Sequence, residues 1–417
     1  LDFQLQDILH HVESKWFGGF ISGIFTNDND VENESKNVFH KFKQDLMKIL
    51  KDCLTVSDDK SNIERFLQFN EFIYYCFYSM EEYNYELVDD LIKFITINMN
   101  SHGRIVNFGT NVKINKLHEL IKNLIDKVNK NKQNVTSNNK NNSNNNSNNN
   151  SNSNNSQHIV LIPNANCSNF PWESMEFLRS KSISRMPSIH MLLDLVKSNT
   201  NNKNKLMFVD KSNLYYLINP SGDLIRSENR FKKLFESNHL WRGEIGKLSS
   251  NEHEDYQDSI LCEILKSHLF VYIGHGGCDQ YIKVSKLFKK CGNNQDSLNK
   301  LPPSLLLGCS SVKLDNCNYN YNSSMLQPLG NIYNWLNCKS SMILGNLWDV
   351  TDKDIDIFTL SLLQKWGLID DYNGSGHDYG MKKLDLTNCV VQSRSKCTLK
   401  YLNGSAPVVY GLPMYLK

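Results

Sequence analysis

The sequence lacks several features that would each assign it to a class of proteins. No apolar run reaches the roughly 18 residues that a membrane-spanning helix needs, so no membrane span is predicted. Eleven cysteines are present, but none of them forms a Cys-x-x-Cys pair, which argues against a zinc ribbon. Their odd number and scattered spacing also disfavour a disulfide framework, and free thiols are typical of a reducing, intracellular compartment.

An excess of one charge sign is also missing. The 46 Lys and Arg residues nearly balance the 44 Asp and Glu residues, which leaves a formal net charge of +2. Proteins whose main activity is nucleic-acid binding usually carry a broad basic field, so no direct nucleic-acid binding is predicted. The chain opens with LDFQLQDILHH, without an initiator Met or a signal peptide, and we expect it to be a fragment of a longer protein.

A low-complexity tract interrupts the chain between residues 137 and 156. Thirteen of these twenty residues are Asn and six are Ser. Such side chains have little apolar surface to bury, so burial cannot offset the entropy that is lost on ordering. We predict a disordered linker over 131–157, between a first region, 1–130, and a second region, 158–417. A prion-like assembly segment is the alternative for this tract.

The first region, 1–130, carries apolar residues at helical spacing. One stripe is formed by Ile114, Leu117, Leu120, Ile121, Leu124 and Val128. No chemically reactive group of residues accompanies it. The pattern predicts an all-α region, either a packed bundle or the end of a helical repeat.

The second region, 158–417, changes to short apolar runs of strand length. These runs lie at 158–163, 205–210, 214–220, 268–276, 304–311, 341–350 and 407–416. Helical patterns alternate with them, the clearest at 352–367, where Gly367 marks the predicted end. Several runs are apolar without alternation, as in strands that are covered on both faces. The order of elements predicts an α/β fold with a mostly parallel sheet flanked by helices, in which ligands bind at the carboxyl ends of the strands.

Two of these predicted strands end in reactive residues. Gly-His275-Gly follows one strand and Gly-Cys309 follows another. A nucleophilic cysteine needs a nearby base and backbone N–H groups that face the developing oxyanion, and glycines allow close approach to a substrate. The layout predicts a Cys–His dyad, although a buried and inert Cys309 is the simpler alternative. Cys278 competes for the nucleophile's role from a position that is less clearly at a strand tip.

A metal site is the weaker alternative. Cys389 and Cys397 together with His377 offer ligand-type side chains, but their spacing fits no common site. We therefore expect neither a metal ion nor another cofactor.

Six ordered stretches between about residue 158 and the end of the chain form one pattern: FPWESMEFLRSKSISRMPSIHML (170–192), YLINPSGDLIRSENRF (216–231), VYIGHGGCDQYI (271–282), LLLGCSSVKL (305–314), NLWDVTDKDIDIFT (346–359) and YLNGSAPVVYGLP (401–413). Together they resemble the separase family of caspase-like cysteine endopeptidases. A single GHG or GCS would be weak, whereas six blocks in order are specific. The sequence departs from the pattern at Cys278 and in an Asn-rich loop at 318–324, and neither departure removes a residue with an assigned role.

The resemblance implies a caspase-like fold and a distinct catalytic role for each of the residues at the strand ends. Cys309 is expected to be the nucleophile, and it needs to be a thiolate when it attacks. His275 is expected to be the general base and acid, and the backbone N–H groups of Gly276 and Cys309 are expected to form the oxyanion hole. Separases cleave after Arg, usually with an acidic residue three positions earlier, so an Arg pocket with a carboxylate is expected.

Asp349 is our prediction for the floor of this pocket, because it ends a predicted strand on the same edge of the sheet as the dyad. Asp352 is second, and its alternative role is the N-cap of helix 352–367. Asp354 and Asp356 are expected to be first-turn charges that match the helix dipole. Asp279 follows His275 closely enough to influence the acidity of the site.

Three further residues recur in the family pattern without an evident chemical role. Packing and support of the fold are expected for Trp172, Ser184 and Arg185. For Arg185 we predict a buried ion pair with a carboxylate that the sequence does not identify.

Partners and setting also follow from the resemblance. The kleisin subunit of cohesin is the expected substrate, and its cleavage triggers sister-chromatid separation in mitosis. We expect a securin-like inhibitor, which would occupy the cleft as a substrate does. We also expect the protein to act in the cytoplasm and nucleus and to have no membrane partner. The alternatives are another caspase-fold peptidase of the CHAT group and a caspase-fold scaffold that binds partners without cleaving them.

Overall fold

A computed structural model describes most of the chain, which divides into two compact units. The described residues are 1–17, 36–54, 67, 72–78, 80, 82–100, 110–141, 158–164, 167–200, 208–248, 254–283, 286, 300–314, 330–370 and 384–417. One unit comprises Leu1–Leu9 and Asn154–Lys417, and the other comprises His10–Ser153.

The His10–Ser153 unit is helical in its described part. The division of the chain between Leu9 and His10 falls within a first helix, α1 (Asp2–His11). The further helices of the His10–Ser153 unit are α2 (Lys36–Leu54), α3 (Phe72–Tyr78), α4 (Tyr85–Asn100) and α5 (Thr110–Asn141). The predicted stripe on α5 faces inward, since Leu117 and Ile121 are almost completely buried. They pack in one cluster with Leu46 and Leu50 of α2. Helix α5 continues to Asn141, past the predicted boundary at 130, and residues 142–157 of the predicted linker lie outside the described residues.

The second unit alternates strands and helices. Its strands are β1 (Ile159–Leu161), β2 (Ile183–Arg185), β3 (Phe208–Val209), β4 (Leu214–Ile218), β5 (Arg242–Ile245), β6 (Leu269–Ile273), β7 (Ser304–Leu307), β8 (Met342–Asn346), β9 (Pro407–Gly411) and β10 (Tyr415–Leu416). Its helices are α6 (Ile189–Thr200), α7 (Ile225–Glu236), α8 (Glu254–Lys266), α9 (Asn331–Asn337), α10 (Asp352–Trp366) and α11 (Leu386–Arg394).

Eight of the strands form one sheet in the order β1-β2-β9-β8-β7-β6-β4-β5. All neighbouring pairs in this sheet are parallel except β8 and β9, which are antiparallel. Strands β4 to β8 therefore point in one direction, and their carboxyl ends lie along the same edge. Strands β3 and β10 pair separately as a parallel ribbon.

Both faces of the sheet are covered. Along β6, Val271 packs into the hydrophobic cluster on one face, whereas Phe270 and Tyr272 pack into the cluster on the other. Such a strand cannot alternate apolar and polar residues, which is why its sequence reads as a continuous apolar run. The predicted α/β class, with a mostly parallel sheet flanked by helices, is confirmed.

Helix α10 ends as the sequence predicts. Its last helical residue is Trp366, and Gly367 follows with a φ of 81° in the left-handed region. Glycine reaches this conformation without the steric cost that a Cβ brings. Strands β2 and β5 were not predicted, because Ile-Ser-Arg is too short and polar and Arg-Gly-Glu-Ile lies at the edge of the sheet.

Arg185 makes the buried ion pair that the sequence predicts, and its partner is Glu173. The Arg185 Nε donates to Glu173 Oε1 at 2.7 Å and its Nη2 donates to Oε2 at 2.5 Å. The guanidinium also donates to the carbonyls of Ser168 and Phe170. Removing one partner of such a pair leaves a buried charge and typically costs roughly 3–5 kcal/mol of stability. The ion pair links two parts of the first stretch that carries the family resemblance, Pro171–Trp172–Glu173 and Ser184–Arg185.

Within the described residues, no helix is both long enough and apolar enough to span a membrane.

Candidate active site

The two predicted catalytic residues follow neighbouring parallel strands. Strands β6 and β7 pair in a register that places Ile273 opposite Leu307. His275 and Cys309 each lie two residues beyond this last pair, on the carboxyl edge of the sheet. The topology therefore brings the two loops side by side.

Gly308 shows how closely these two loops approach each other. A Cβ built on Gly308 would lie 2.1 Å from the carbonyl oxygen of Gly276 and 2.5 Å from that of Gly274. Real Cβ atoms do not approach backbone oxygens so closely, so any side chain here would force the loops apart. The glycine before Cys309 is therefore required by the packing of one site loop against the other.

The loop that carries His275 is held by its own neighbours. The hydroxyl of the buried Tyr272 donates to the His275 carbonyl oxygen at 2.5 Å, and Gln280 Nε2 donates to the same oxygen at 2.8 Å. Gly276 has a φ of 66°, in the left-handed region. The chain can therefore turn directly after His275 while the imidazole stays at the surface.

The imidazole has a carboxylate partner that the sequence analysis missed. Nε2 of His275 lies 3.1 Å from Oδ2 of Asp223, which follows β4 on the other side of β6. The pKa of Asp223 is held below its ordinary value, first by a hydrogen bond from the Ser221 hydroxyl and to a smaller extent by His275. Asp223 lies in the stretch YLINPSGDLIRSENRF, directly after a predicted strand, and that position was the available signal.

Cys309 is half-buried, and its Sγ lies 3.4 Å from the carbonyl oxygen of Val350. Burial raises the pKa of the Cys309 thiol, and the negative charges of Asp349 and Asp352 raise it further. The resting side chain is therefore a thiol, and a nucleophilic role for Cys309 would require a base that removes its proton. The expected thiolate is thus not the resting state.

Cys278 is excluded as the competing nucleophile by its surroundings. Its side chain is completely buried in the cluster that contains Tyr272, and burial raises its pKa well above the ordinary value. A substrate carbonyl cannot reach a sulfur in that position.

Asp349 lies on the same edge as Cys309, as predicted. Its Oδ1 accepts a hydrogen bond from the Ser310 hydroxyl at 2.6 Å, and the side chain is exposed. Asp352 is exposed as well and is the first residue of α10. The N-cap alternative for Asp352 is wrong, because Thr351 occupies the cap position.

The expectation that Asp354 and Asp356 are first-turn charges is confirmed for Asp354, which lies in the first turn of α10, and wrong for Asp356, which lies after that turn. Both side chains are buried. Burial alone would raise the pKa of Asp354, but hydrogen bonds from Asn403 and from the N–H groups of Leu399 and Thr398 hold it below the ordinary value.

Asp356 shows the opposite shift. Burial raises its pKa to about 6, although Ser227 and Arg230 on α7 partly offset this rise. Asp356 therefore connects the helix after the Asp223 turn with the helix after the Asp349 segment.

The segment that begins at Cys309 is fixed to the end of β8 by a buried asparagine. Asn346 donates from Nδ2 to the Gly308 carbonyl oxygen at 2.9 Å, and its backbone N–H donates to the Ser311 hydroxyl at 2.9 Å. Sequence reasoning did not identify Asn346, because an asparagine inside an apolar run carries no signal of its partners.

The alternative metal site is not assembled in the described residues. Cys389 and Cys397 are both buried, and burial raises the pKa of each thiol to about 12. His377 lies outside the described residues. The part of the chain that the structure describes contains no group of three or more His, Cys, Asp or Glu side chains arranged to hold a metal ion.

Asp279 is exposed in the loop after His275. Its negative charge contributes to the raised pKa of Tyr272 and of Cys278. The charge of Asp279 therefore acts on the pKa of two buried neighbours, Tyr272 and Cys278.

Comparisons with known proteins agree on one family. The family model described as separin, protease domain, matches residues 1–355. The separin of Saccharomyces cerevisiae is 33% identical over 99% of this chain, and that of Schizosaccharomyces pombe is 30% identical over 100%. A crystal structure of the S. cerevisiae separase–securin complex superposes with a TM-score of 0.71 at 29% identity, and the match covers 100% of this chain and 25% of the separase chain.

The match includes the helical first region as well as the second region on which the sequence resemblance rested. The chain spans 23% of the S. cerevisiae protein and 20% of the S. pombe protein. A family model that extends over most of the chain, and a relative that is 33% identical over nearly all of it, lead to one conclusion: this chain belongs to the separin protease-domain family.

Proposed function

We propose that this chain is the protease part of a separase-type cysteine endopeptidase that cleaves after Arg. The observation that carries the proposal is the close contact at Gly308, which holds the loops of His275 and Cys309 together at the carboxyl edge of the sheet. Membership of the separin protease-domain family supports it.

The proposed reaction proceeds through an acyl-enzyme. His275 removes the proton from the Cys309 thiol, and the sulfur attacks the scissile carbonyl carbon. The backbone N–H groups of Gly276 and Cys309 stabilise the oxyanion that develops. His275 then gives the proton to the leaving amine as the C–N bond breaks. A water molecule activated by His275 hydrolyses the thioester, which releases the carboxylic acid and restores the thiol.

The raised pKa of Cys309 fits this sequence of steps. A cysteine that rests as a thiol needs a general base in the attack step, and His275 at the end of the neighbouring strand is the residue in place for that role.

Asp349 is proposed as the carboxylate that binds the substrate Arg. It lies on the same edge of the sheet as Cys309, and its Oδ1 accepts a hydrogen bond of 2.6 Å from the hydroxyl of Ser310, the residue that follows Cys309. A guanidinium and a carboxylate form paired, charge-assisted hydrogen bonds, which favour Arg over a neutral side chain. Asp352, exposed at the start of α10, remains the second candidate.

The kleisin subunit of cohesin is the proposed substrate, and its cleavage would trigger sister-chromatid separation. The proposed inhibitor is a securin-like chain, because the S. cerevisiae relative was crystallised as a separase–securin complex. The proposed setting is the cytoplasm and nucleus, with action on chromosomes in mitosis.

A peptide cleavage assay tests the proposal. The chain should hydrolyse peptides after Arg, fastest with an acidic residue three positions earlier, and Cys309→Ser should abolish cleavage while the melting temperature stays unchanged. Cys278→Ser serves as the matched control, since that buried thiol has no part in the reaction, although its substitution lowers stability. Full activity in Cys309→Ser would refute the assignment.

The same assay separates the two alternatives. A peptidase of the CHAT group would cleave without a preference for Arg. A scaffold that only binds partners would cleave no member of a library in which the residue before the scissile bond is varied.

A further inference from the structure

The turn at Asn219–Leu224, between β4 and α7, has no role in the reaction described so far. This segment, Asn-Pro-Ser-Gly-Asp-Leu, runs past the carboxyl end of β6, and its Asn219 N–H donates to the Ile273 carbonyl oxygen at 2.7 Å. The hydrogen bond ties the turn to the last residue of the strand that precedes His275. The position of the turn relative to His275 is therefore fixed by the sheet itself.

Asn219 organises the turn from the inside. It is completely buried and adopts a φ of 51°, which is uncommon for a residue other than glycine. Its side-chain oxygen accepts hydrogen bonds from the N–H groups of Gly222 at 3.1 Å and Leu224 at 2.9 Å. Its Nδ2 donates to Glu228 Oε2 at 2.7 Å, which anchors the turn to α7. A turn held at so many points presents the residue between Gly222 and Leu224 in one place.

That residue is Asp223, and its carboxylate faces the imidazole of His275. One oxygen, Oδ2, lies 3.1 Å from His275 Nε2, and the other, Oδ1, accepts a hydrogen bond from the Ser221 hydroxyl at 2.5 Å. The hydrogen bond from Ser221 leaves Oδ2 as the oxygen available to the imidazole. The carboxylate is thus oriented as well as located.

We propose that Asp223 is a positioning residue for His275: it fixes the imidazole with Nε2–H towards the carboxylate and leaves Nδ1 to exchange a proton with Cys309. This inference rests on the proposed peptidase function. An ionised carboxylate is only an acceptor, so Nε2 must carry the hydrogen, and the neutral ring then has one free lone pair, on Nδ1. When Nδ1 takes the proton of Cys309, the ring becomes cationic, and the adjacent carboxylate stabilises that charge.

A competing role for Asp223 is that of a second carboxylate in the Arg pocket. The two roles differ in what they do to the reaction. A pocket residue acts on substrates that carry a guanidinium, whereas a positioning residue acts on every reaction in which Cys309 must lose its proton. Asp223 already faces His275, and this contact favours the positioning role.

Kinetics with matched substrates test the inference. Asp223→Ala should lower kcat for an Arg peptide by about 10–100-fold with KM changed less than about twofold, because the base loses its orientation while the pocket is intact. The loss is expected to be smaller than for a buried triad carboxylate, since the Asp223 side chain is 63% exposed. The rate at which iodoacetamide alkylates Cys309 should fall in parallel, because this small neutral reagent does not use the Arg pocket.

Asp210→Ala is the matched control. Asp210 is also an exposed aspartate that faces a histidine, with its Oδ2 3.6 Å from Nδ1 of His268. This variant should keep wild-type kcat, KM and alkylation rate, and the melting temperatures of both variants should stay close to that of the wild type.

The outcomes separate this inference from the proposed function. If the wild-type chain cleaves Arg peptides and Asp223→Ala keeps its kcat, the positioning role is refuted while the peptidase assignment stands. If Asp223→Ala instead raises KM for the Arg peptide and leaves iodoacetamide alkylation unchanged, Asp223 belongs to the pocket and the positioning role is again refuted. If the wild-type chain cleaves nothing, the proposed function itself has failed, and the inference fails with it.

Discussion

The adjacent strands β4 and β6 carry an Asp–His pair at each end, and only one pair lies at a site. Before the strands, Asp210 Oδ2 lies 3.6 Å from His268 Nδ1, and after them Asp223 Oδ2 lies 3.1 Å from His275 Nε2. The side chains are similarly exposed, between 48% and 63%. Residue type and exposure therefore do not distinguish the two pairs, although only the Asp223–His275 pair lies within hydrogen-bond distance.

The two ends differ in the contribution of the next strand, β7. At the amino end, β7 is preceded by two prolines, and the Pro303 carbonyl accepts from the Phe270 N–H. At the carboxyl end, β7 is followed by Gly308 and Cys309, and Gly308 packs against the backbone of the loop that carries His275. A parallel sheet collects loops from several strands along one edge, and reactive groups from distant parts of the sequence meet there.

The largest contrast between the two ends should come from the histidines. His275→Ala should lower kcat/KM for an Arg peptide by about 10²–10⁴-fold, because it removes the proposed general base and acid. His268→Ala, the matched change at the amino end, should leave kcat/KM within about twofold of wild type, since it lies at the opposite edge of the sheet from Cys309. Steady-state hydrolysis measures both. A comparable loss in both variants would show that the effect is on the fold and not on the chemistry.

The next contrast concerns the two carboxylates beside Cys309. Asp349→Asn should lower kcat/KM for an Arg peptide by about 10–100-fold and reduce the preference for Arg over citrulline, because a hydrogen bond to a charged group is lost. Asp352→Asn should change the same quantity by less than about threefold, because that carboxylate is not expected to contact the guanidinium. Parallel kinetics with the Arg and citrulline peptides provide the measurement. The reverse ranking would move the floor of the pocket to Asp352.

The last expected effect is on stability and not on activity, and it comes from Asp356, the buried carboxylate of α10. Its pKa is about 6 in the folded chain, above its ordinary value of 3.8, mainly because of burial. The folded state therefore binds this proton more tightly than the unfolded state, and its stabilising effect is full below about pH 4 and lost as the pH rises through about 6.

Asp356→Asn removes this loss. The variant should be more stable than the wild type by roughly 1–3 kcal/mol at about pH 8, and the difference should disappear below about pH 4. Urea unfolding across this pH range measures it. A stability difference that does not change with pH would mean that Asp356 is ionised in the folded chain throughout the range.

The sequence predicted those parts of the fold and site in which local pattern dominates. Strands β6, β7 and β8 read as continuous apolar runs because both faces are buried, and Gly367 marked the end of α10 because its backbone conformation favours glycine. His275 and Cys309 were found because each follows such a run.

The interactions that the sequence could not predict are formed between distant segments. The Asp223–His275 contact spans 52 positions and depends on β4 lying next to β6, which no local pattern shows. Asp354 accepts hydrogen bonds from residues 398, 399 and 403, which lie more than 40 positions away, and its place in the first turn of α10 does not reveal these partners. Glu173, the partner of Arg185, lies only 12 positions away, but no local pattern shows which carboxylate faces the guanidinium.

We propose that Cys309, activated by His275, is the reactive thiol of an Arg-directed peptidase. Incubating the chain with an Arg peptide that ends in an electrophilic ketone, followed by peptide mapping, tests it directly. We expect one label per chain, on Cys309, which is absent from Cys309→Ser and forms much more slowly in His275→Ala. A label on any of the other ten cysteines, or no label in an otherwise folded chain, would contradict it.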